Sequence, residues 1–302
     1  MVPQLPNLFI VGAPKCGTTA LSTYLRRHPD VFVARKELHY FGQDLTFRNK
    51  PRLTLAEYLA SFDASVQQIY RCDSSVWYMS STTAASEIAE AAPDARLIVM
   101  LRNPVDMLYS LHSELLFQGD EDIPDFAEAL DAEGDRRQGR RIPPDSDIPW
   151  ALQYHDVARF PTQIERFLAV FDVARLHIIL YDEFAGNPAV VYRRLLEFLE
   201  IDPEVLPDFP VVNSNKIVRS ASFRQFLRYP PEPLRRMGRL VIRTQEGRRV
   251  LGKRLVLANT TKKPRPTLDP KVRDQLQAEL ASEVDRLAEL IGRDLSSWSE
   301  PA

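Results

Sequence analysis

The stretch LFIVGAPKCGTTAL, residues 8–21, decides the fold of this chain. Its first residues, Leu8–Val11, form a continuous apolar run, which is typical of a strand buried on both faces of a parallel sheet. A loop with Gly12 and Gly17 follows and opens a helix at Thr18. Backbone N–H groups at such a helix start, together with the positive end of the helix dipole, form an anion site. The stretch therefore predicts a loop that binds a phosphate or a sulfate group.

The lysine of this loop does not stand where nucleotide triphosphatases place theirs. Their loop reads GxxxxGK[ST]. Gly12 and Gly17 have the required separation, but Thr18 occupies the lysine position and Lys15 lies inside the loop. A lysine inside the loop suits the 5′ end of a donor shorter than a triphosphate. A kinase or nucleotidase that uses ATP and magnesium is nevertheless one alternative, since Asp182 ends another predicted strand and could hold the metal.

A second strand predicts a partner for this anion site. The apolar run Leu97–Leu101 ends at Arg102, and Asn103 and Pro104 are suited to the N-cap and the first position of a helix. Ser110 follows Arg102 by eight residues, about two helical turns. An arginine fork binds phosphate with two hydrogen bonds. Arg102, with the Ser110 hydroxyl as an additional donor, is therefore a candidate phosphate site.

Apolar runs and helical patterns alternate along the rest of the chain. We predict further strands at Leu176–Leu180 and, on a weaker pattern, Gln68–Arg71, and helices at Thr18–His28, Val105–Phe117, Thr162–Phe171, Ala189–Leu199 and Pro270–Ile291. Such alternation indicates an α/β fold, here a P-loop-like three-layer sandwich with a central, mostly parallel sheet and helices on both faces. Gly119–Pro149 is weakly patterned and is predicted to be a surface excursion, with a short helix around Asp125–Ala132.

Composition and charge bound the class of protein. The chain has 302 residues, 44% of them hydrophobic and 26% charged, and a formal net charge of −2, which is ordinary for a globular protein. We expect a single domain over residues 1–302, with residues 229–265 as a basic helical appendage. Between Lys216 and Arg265 there are 15 Lys and Arg against two acids, so one face either meets an anionic partner or is balanced by the acidic remainder. Few aromatics and no recognisable motif accompany this stretch, which argues against nucleic-acid binding.

The sequence predicts no metal site and a cytoplasmic location. No apolar run approaches the roughly 18 residues that cross a bilayer, and Leu8–Ala13 is read as a strand and not as a signal peptide. The two cysteines, Cys16 and Cys72, have no CxxC partner, so neither a disulfide framework nor a zinc site is indicated. The sequence gives no indication of oligomeric state.

The motif PKCGTT, residues 14–19, resembles the 5′-phosphosulfate loop of the sulfotransferases that use 3′-phosphoadenosine 5′-phosphosulfate (PAPS), within the heparan-sulfate and bacterial carbohydrate branch. The resemblance implies PAPS as co-substrate. It also implies that the 5′-phosphosulfate is bound by the loop residues Lys15, Cys16, Gly17, Thr18, Thr19 and Ala20. In this family an arginine at a strand end and a serine eight residues later bind the 3′-phosphate, a pattern that Arg102 and Ser110 match. Lys216 lies in a segment similar to one near the cofactor in bacterial relatives, so we expect it to close over the nucleotide.

The stretch KELHYF, residues 36–41, is similar to the Lys-Glu-x-His-Phe-Phe segment of heparan-type sulfotransferases. That resemblance implies Glu37 as the base that deprotonates the acceptor, with His39 as its partner or as an alternative base. A base is needed because a neutral alcohol is a poor nucleophile. The plainer reading makes Glu37 a surface carboxylate paired with Lys36 or Arg35. Asp73 and Ser74 are expected to line the acceptor cleft.

The predicted reaction is an in-line displacement that moves a sulfuryl group from PAPS to a hydroxyl or an amine of an acceptor. The resemblance favours a saccharide or a glycolipid, and the basic stretch is compatible with a peripheral contact with an anionic membrane. A phenolic natural product or an acyl chain is an open alternative. A non-catalytic module that binds anionic polymers is the alternative of a different class.

Overall fold

The computed structural model describes residues 5–65, 67–210 and 265–299, together with the backbone of two short strands at 216–218 and 260–262. Five parallel strands form the central sheet, in the order β2-β3-β1-β4-β5. The sheet strands are β1 Leu8–Gly12, β2 Val31–Val33, β3 Tyr70–Ser74, β4 Arg96–Leu101 and β5 Leu176–Leu180. The backbone of β6 Lys216–Val218 pairs antiparallel with that of β7 Thr260–Lys262, outside this sheet.

Helices cover both faces of the sheet, which confirms the predicted three-layer α/β sandwich. They are α1 Thr18–Leu25, α2 Leu55–Ala60, α3 Ala84–Ala91, α4 Pro104–Gln118, α5 Phe126–Asp131, α6 Glu133–Arg137, α7 Tyr154–Val157, α8 Phe160–Leu168, α9 Tyr181–Gly186, α10 Pro188–Phe198 and α11 Pro270–Ile291. Tyr24 of α1 packs against Phe184 of α9 and Tyr192 of α10 on one face. Helix α8 packs against α3 and α11 on the other face, where α11 also contacts α4.

The middle strands of the sheet are apolar on both faces, so the sheet lies between two layers of helices. Every residue of β1 is buried, and the five residues of β4 that follow Arg96 are buried as well. Parallel strands covered on both faces require such unbroken apolar runs. This is why Leu8–Val11, Leu97–Leu101 and Leu176–Leu180 were recognisable as strands.

The predicted helices are present, with ends that differ by a few residues. Asn103 caps α4 as predicted, since its side chain accepts a hydrogen bond from the Val105 amide. Gly292 ends α11 in the left-handed conformation that favours glycine. Helix α1 ends at Leu25 instead of His28, and the weakly predicted strand at Gln68–Arg71 is β3, shifted toward Ser74. The short elements β2, α2 and α3 were not predicted.

The prediction of a surface excursion at Gly119–Pro149 is wrong in its central part. Its helix is present as α5, capped by the Asp125 side chain. Phe126 is buried, however, and the Arg136 guanidinium and the Glu121 carboxylate form a fully buried ion pair at 2.6 Å. Polar residues dominate this segment, and most of its charges face water, but the Glu121–Arg136 pair lies inside the protein, which composition alone does not reveal.

Candidate active site

Strands β1 and β4 are neighbours whose connections run to opposite sides of the sheet. In open α/β sheets this switch point is where ligands bind, outside the carboxyl ends of the strands. The loop after β1 is tied to β4 there, because the Ala13 amide donates to the Met100 carbonyl at 2.8 Å. A cleft of about 580 Å³ opens at this edge. The two segments that the sequence predicted to bind anions therefore share one cavity.

The glycines of the loop are required by its packing. A Cβ on Gly12 would stand 2.6 Å from the Cβ of Met79, too close for any side chain. Gly17 has a φ of 91° and directly precedes α1, so the chain enters the helix through a conformation that glycine adopts without strain. Lys15, with a φ of 60°, lies between them. Close packing against Met79 and a left-handed turn thus shape the loop that lines the cleft.

Lys36, three residues after β2, joins the loop at the start of α1, and sequence reasoning did not assign it a role. Its ammonium donates to the Thr18 hydroxyl at 2.8 Å and to the Thr19 hydroxyl at 3.2 Å. Burial lowers its pKa, which the neighbouring Glu37 carboxylate partly offsets. The position just before Glu37 was the only signal that could have indicated it. Lys36 adds a second cation to the anion site at the start of α1.

Lys15 reaches across the cleft to α4. Its ammonium lies 3.1 Å from one carboxylate oxygen of Glu114, and the side-chain amide of Gln118 donates to the other at 2.8 Å. Glu114 is one turn beyond Ser110 on the same helix face. Sequence reasoning missed Glu114, because nothing near it in the chain marks it as a neighbour of the loop.

Arg102 and Ser110 meet a second arginine that comes from the far end of the chain. The Arg265 guanidinium donates to the Ser110 hydroxyl at 2.9 Å and lies 5.2 Å from the ring of Tyr109. Arg102 lies over the ring of Tyr181 at 4.6 Å.

Both guanidiniums, Arg102 and Arg265, have a buried Nε that makes no hydrogen bond within the described part of the chain. The repulsion between these two cations contributes to a lowered pKa of Arg265, after burial as the main cause. Two arginines and a hydroxyl gathered in this way have the chemistry of a phosphate site.

Glu37 and His39 form a close pair at the edge of the cleft. The His39 Nε2 lies 2.8 Å from a carboxylate oxygen of Glu37, and the Lys36 ammonium lies 3.9 Å from the other. Burial alone would raise the pKa of Glu37, but the hydrogen bond and charge of His39 and the charge of Lys36 outweigh it, so this pKa lies below the ordinary value. Glu37 lines the cleft, whereas His39 lines a neighbouring cavity and stacks on Phe47. The plainer reading of Glu37 as a surface carboxylate paired with Lys36 or Arg35 is met in part, because Lys36 is in contact but His39 is the nearer partner and the side chain is only 23% exposed.

A buried carboxylate holds the segment that carries this pair. Asp73, at no exposure, accepts hydrogen bonds from the hydroxyls of Tyr58, Ser75 and Tyr78 at 2.7 to 2.8 Å. The Ser75 hydroxyl in turn accepts from the amides of residues 38 and 39, and the Tyr78 hydroxyl from those of residues 40 and 41. Asp73 therefore acts on the loop through two hydroxyls and is out of reach of the cleft.

Arg52 provides hydrogen-bond donors for the backbone carbonyls of the same loop. Its guanidinium donates to the carbonyls of His39, Tyr40, Phe41, Gly42 and Leu45 at 2.7 to 3.2 Å. The loop has no regular secondary structure, so its amides and carbonyls need such side-chain partners. The expectation that Asp73 and Ser74 line the acceptor cleft is wrong: both are buried, and Ser74 shares a hydrogen bond with Ser22 of α1.

The remaining predicted residues divide into three groups. Gly17, Thr18, Thr19 and Ala20 line the cleft with Lys15. The Cys16 thiol is buried, with a pKa raised to about 12 by burial, and donates to the Pro14 carbonyl, and Cys16 is not among the residues that line the cleft. Lys216 begins β6, and its side chain lies outside the described residues. Most of the predicted appendage at 229–265 lies outside them as well, so that assignment stays a prediction.

The predicted alternative metal ligand has another role in the fold. Asp182, in the first turn of α9, accepts a hydrogen bond from the Trp298 indole at 3.1 Å. Among the described residues, no three His, Cys, Asp or Glu side chains lie close enough to hold a metal ion. Within the same ranges, no helix has both the length and the apolar character that a membrane crossing requires.

Comparison with known proteins decides the family. The sequence model of the sulfotransferase family matches residues 6–204, about two thirds of the chain. The chain belongs to the sulfotransferase family. This sulfotransferase is similar over 98% of its length to a crystal structure of a sulfotransferase from Alicyclobacillus acidocaldarius, of which it covers 100%, with 26% identity and a TM-score of 0.72. The alternatives of an ATP-dependent kinase and of a non-catalytic module do not agree with this assignment.

Curated relatives point to the same branch that the sequence motifs resemble. The sulfotransferase is 28% identical over 197 residues to heparan sulfate glucosamine 3-O-sulfotransferase 3A1 of Mus musculus, which covers 65% of this chain and 46% of the mouse protein. It is 26% identical over 211 residues to bifunctional heparan sulfate N-deacetylase/N-sulfotransferase 1 of Caenorhabditis briggsae, over 68% of this chain and 23% of that protein. The chain thus spans less than half of the length of these relatives.

Proposed function

We propose that this sulfotransferase transfers the sulfuryl group of PAPS to a hydroxyl or an amine of a saccharide or glycolipid acceptor. One observation carries the proposal: the β1 loop and the arginine pair at the end of β4 open into the same cleft. The loop, with Lys15, Lys36 and the start of α1, suits a 5′-phosphosulfate. Arg102, Arg265 and Ser110 suit a 3′-phosphate. A nucleotide that carries both groups would satisfy both sites.

The chemistry requires a base and a cation, and the cleft offers both. Glu37 takes the proton of the acceptor hydroxyl as its oxygen forms a bond to sulfur. The bond between sulfur and the bridging oxygen breaks, and that oxygen leaves with the electron pair as part of 3′,5′-bisphosphoadenosine. Lys15 and Lys36 stabilise the charge that builds on it, because preorganised cations in a water-poor site stabilise such charge strongly. His39 orients the Glu37 carboxylate through the 2.8 Å contact.

Binding of 3′,5′-bisphosphoadenosine, measured by calorimetry without added magnesium, tests this proposal. We expect one site per chain. Arg102→Ala removes a bidentate phosphate contact and should weaken binding by about 1.5–3 kcal/mol, roughly a factor of ten to a hundred. Arg175→Ala, at an exposed ion pair with Asp94, is the matched control and should bind normally. Failure of the folded wild-type protein to take up the nucleotide would overturn the proposed function.

We propose that the basic stretch at residues 216–265 contacts an anionic glycan or the surface of an anionic membrane, and that the enzyme works in the cytoplasm. Two features support the location: both cysteines are free thiols, and both are buried. Vesicles with and without anionic lipid, compared in a sedimentation assay at two salt concentrations, test the membrane contact.

A further inference from the structure

Both arginines of the candidate 3′-phosphate site lie over tyrosine rings. The guanidinium carbon of Arg102 is 4.6 Å from the centre of the Tyr181 ring, and that of Arg265 is 5.2 Å from the centre of the Tyr109 ring. The negative face of an aromatic ring attracts a cation. The N–H groups of arginine lie in the plane of its guanidinium, so a ring below that plane leaves the hydrogen-bond donors to other partners.

The two arginines need an attraction of this kind, because they repel each other. The charge of Arg102 contributes, after burial, to the lowered pKa of Arg265. Asp106 lies 3.8 Å from the Arg102 guanidinium, but the same carboxylate lies 2.7 Å from Arg273 and is therefore shared. A carboxylate would also compete with a bound phosphate for the N–H groups of an arginine. An uncharged ring stabilises the cation without that competition.

Tyr181 contacts both anion sites. It directly follows β5, whose neighbour in the sheet is β4, and Arg102 directly follows β4. Its ring also packs against the β1 loop, because a Cβ on Gly17 would stand 3.2 Å from the Cδ2 of Tyr181. Tyr181, Gly17 and Arg102 all line the cleft. The ring is therefore held by the fold at the place where the loop and the arginine approach each other.

Tyr109 is supported by the segment that follows α4. Its ring packs against that of Phe126, a buried residue of α5, with the ring centres 5.4 Å apart. His112, nearly one turn after Tyr109, packs against the same phenylalanine at 5.2 Å, and its Nε2 contacts the Ile123 carbonyl at 2.9 Å. Arg265 lines the cleft, whereas Tyr109 is not among the residues that do. Helix α5 thus fixes the ring that supports Arg265.

From these observations we propose that Tyr109 and Tyr181 are positioning residues for the 3′-phosphate: their rings hold Arg265 and Arg102 in the binding geometry before the nucleotide arrives. The tyrosines act through the arginines, and their hydroxyls are not required. Arginine side chains that are already ordered lose less conformational entropy when the phosphate binds. This inference rests on the proposed function and deepens its account of the nucleotide site.

Two nucleotides isolate the recognition of the 3′-phosphate. 3′,5′-Bisphosphoadenosine carries both phosphates, and adenosine 5′-monophosphate lacks the one at the 3′ position. The ratio of their affinities therefore reports on the arginine pair, and losses that affect the rest of the nucleotide equally divide out. Competition calorimetry, in which the bisphosphate displaces the monophosphate, measures the ratio. In the wild-type protein we expect the bisphosphate to bind about a hundredfold or more tightly, because two arginines contact the additional group.

Paired substitutions at each tyrosine separate the ring from the hydroxyl. Tyr109→Leu and Tyr181→Leu remove the ring, and each should lower the affinity ratio by about twofold to tenfold, the scale of ordering one long side chain on binding. Tyr109→Phe and Tyr181→Phe keep the ring and should leave the ratio within about twofold of the wild-type value. Circular dichroism establishes that each variant is folded. Methionine replaces leucine in any Leu variant that does not fold.

Phe198→Leu is the matched control. It removes a ring that lies 5.2 Å from the guanidinium of Arg96, at the opposite end of β4 from Arg102, and should leave the affinity ratio unchanged. An unchanged ratio in both ring-removing variants would overturn the inference. An equal fall of the ratio in the Phe and the Leu variants would also overturn it, because the hydroxyl and not the ring would then be responsible.

The wild-type protein keeps this inference distinct from the proposed function. If it binds 3′,5′-bisphosphoadenosine in preference to the monophosphate and the ring-removing variants keep that preference, the role of the tyrosines is wrong and the nucleotide assignment stands. If the wild-type protein binds neither nucleotide, the proposed function itself fails.

Discussion

Lys15 is the residue at which the chain departs from ATP-dependent enzymes with a similar loop. It stands inside the loop, held at 3.1 Å from Glu114, instead of after the second glycine. In the proposed reaction, a cation in this position serves the bridging oxygen of a phosphosulfate and not the end of a triphosphate chain. Its role in turnover is therefore separable from that of the cations that hold the 3′-phosphate.

Replacing Lys15 with alanine should lower kcat by about a hundredfold or more, the scale of losing one preorganised donor. Binding of 3′,5′-bisphosphoadenosine should weaken much less, since Lys36, Arg102 and Arg265 remain. Transfer from labelled PAPS at saturating acceptor measures the first quantity and calorimetry the second. Lys271→Ala, at an exposed site in the first turn of α11, is the control. Near-normal turnover in Lys15→Ala would contradict its assigned role.

The Glu37–His39 pair predicts a pH dependence with a definite sign. His39 lowers the pKa of Glu37 through its hydrogen bond and charge, so the carboxylate stays ionised, and active as a base, to a lower pH than an ordinary glutamate. His39→Asn removes this contact, and asparagine tolerates the left-handed φ of 49° at this position. The acidic limb of kcat/KM against pH should therefore move to higher pH in the variant.

The measurement is restricted to the pH range in which circular dichroism shows both proteins to be folded. Glu37→Gln, which has no titrating base, should lose the limb together with most of the activity. An acidic limb at the same pH in wild type and His39→Asn would show that His39 does not tune the base.

At the scale of elements, the loop from residue 37 to 45 owes its shape to three other segments. Asp73, at the end of β3, acts through Ser75 and Tyr78 on the amides, while Arg52 binds the carbonyls. This loop has no regular pattern of backbone hydrogen bonds. It is held rigid only if side chains such as these bind its amide and carbonyl groups. The position of the base relative to the sheet is therefore fixed by a buried anion that does not reach the cleft.

Asp73→Asn keeps the volume of the side chain but places an NH2 group at one of the two oxygens that accept hydrogen bonds from the three hydroxyls. We expect kcat to fall by roughly tenfold to a hundredfold, because a small displacement of the base costs reaction geometry. Affinity for 3′,5′-bisphosphoadenosine should be largely retained, since Lys15, Arg102, Arg265 and Ser110 lie on other segments. Glu87→Gln, whose carboxylate contacts the amides of Gly42 and Gln43 further along the loop and the Thr83 hydroxyl, is the control. Equal losses of nucleotide affinity and turnover would indicate a general loss of structure and not a displaced base.

For the whole molecule, helix α11 closes the helical layer by ion pairs to elements far away in the chain. Arg273 reaches Asp106 of α4 at 2.7 Å, Arg286 pairs with Glu165 of α8, and Arg293 pairs with Glu183 of α9. Glu279 contacts His155 of α7, which is also bound to Glu133. These contacts bring Arg265, just upstream of the helix, to Ser110 in the cleft.

His155 makes this closure sensitive to pH. The hydrogen bonds that it donates to the Glu133 carboxylate, and after them the contact with Glu279, raise its pKa to about 9. In the unfolded chain it titrates near 6.5. Its contribution to the free energy of unfolding is therefore complete below about pH 6.5 and is lost as the pH rises through 9.

His155→Gln removes this contribution. The difference in free energy of unfolding between wild type and variant should decrease by roughly 2–3 kcal/mol between about pH 6 and pH 10, as measured by urea unfolding. His177→Gln is the control, because burial lowers the pKa of that histidine to about 4 and it stays neutral over this range. A wild-type–variant difference that does not change with pH would show that His155 is uncharged in the fold.

Much of the site was predictable because it lies in short segments with strict local requirements. The loop from Gly12 to Gly17 needs glycine next to Met79 and at a left-handed turn, and Arg102 directly follows an apolar strand. Glu37 and His39 lie two residues apart, and the structure confirms that they are in contact. The buried ion pair between Glu121 and Arg136 was not predictable, because a charged segment reads as a surface segment whether or not its charges are paired.

The sequence by itself determined the α/β class and the strand–loop–helix at residues 8–21, because hydrophobic period, glycine placement and capping act over a few neighbouring residues. Its motifs at residues 14–19 and 36–41 indicated the sulfotransferase family through their resemblance to known members. Only the tertiary structure decided that Arg265 meets Ser110 across 155 positions, and that Lys15 meets Glu114 across 99. Those contacts depend on the strand order β2-β3-β1-β4-β5 and on the docking of α11. Strand order depends on how whole helices and strands pack against one another, so local sequence patterns do not predict it.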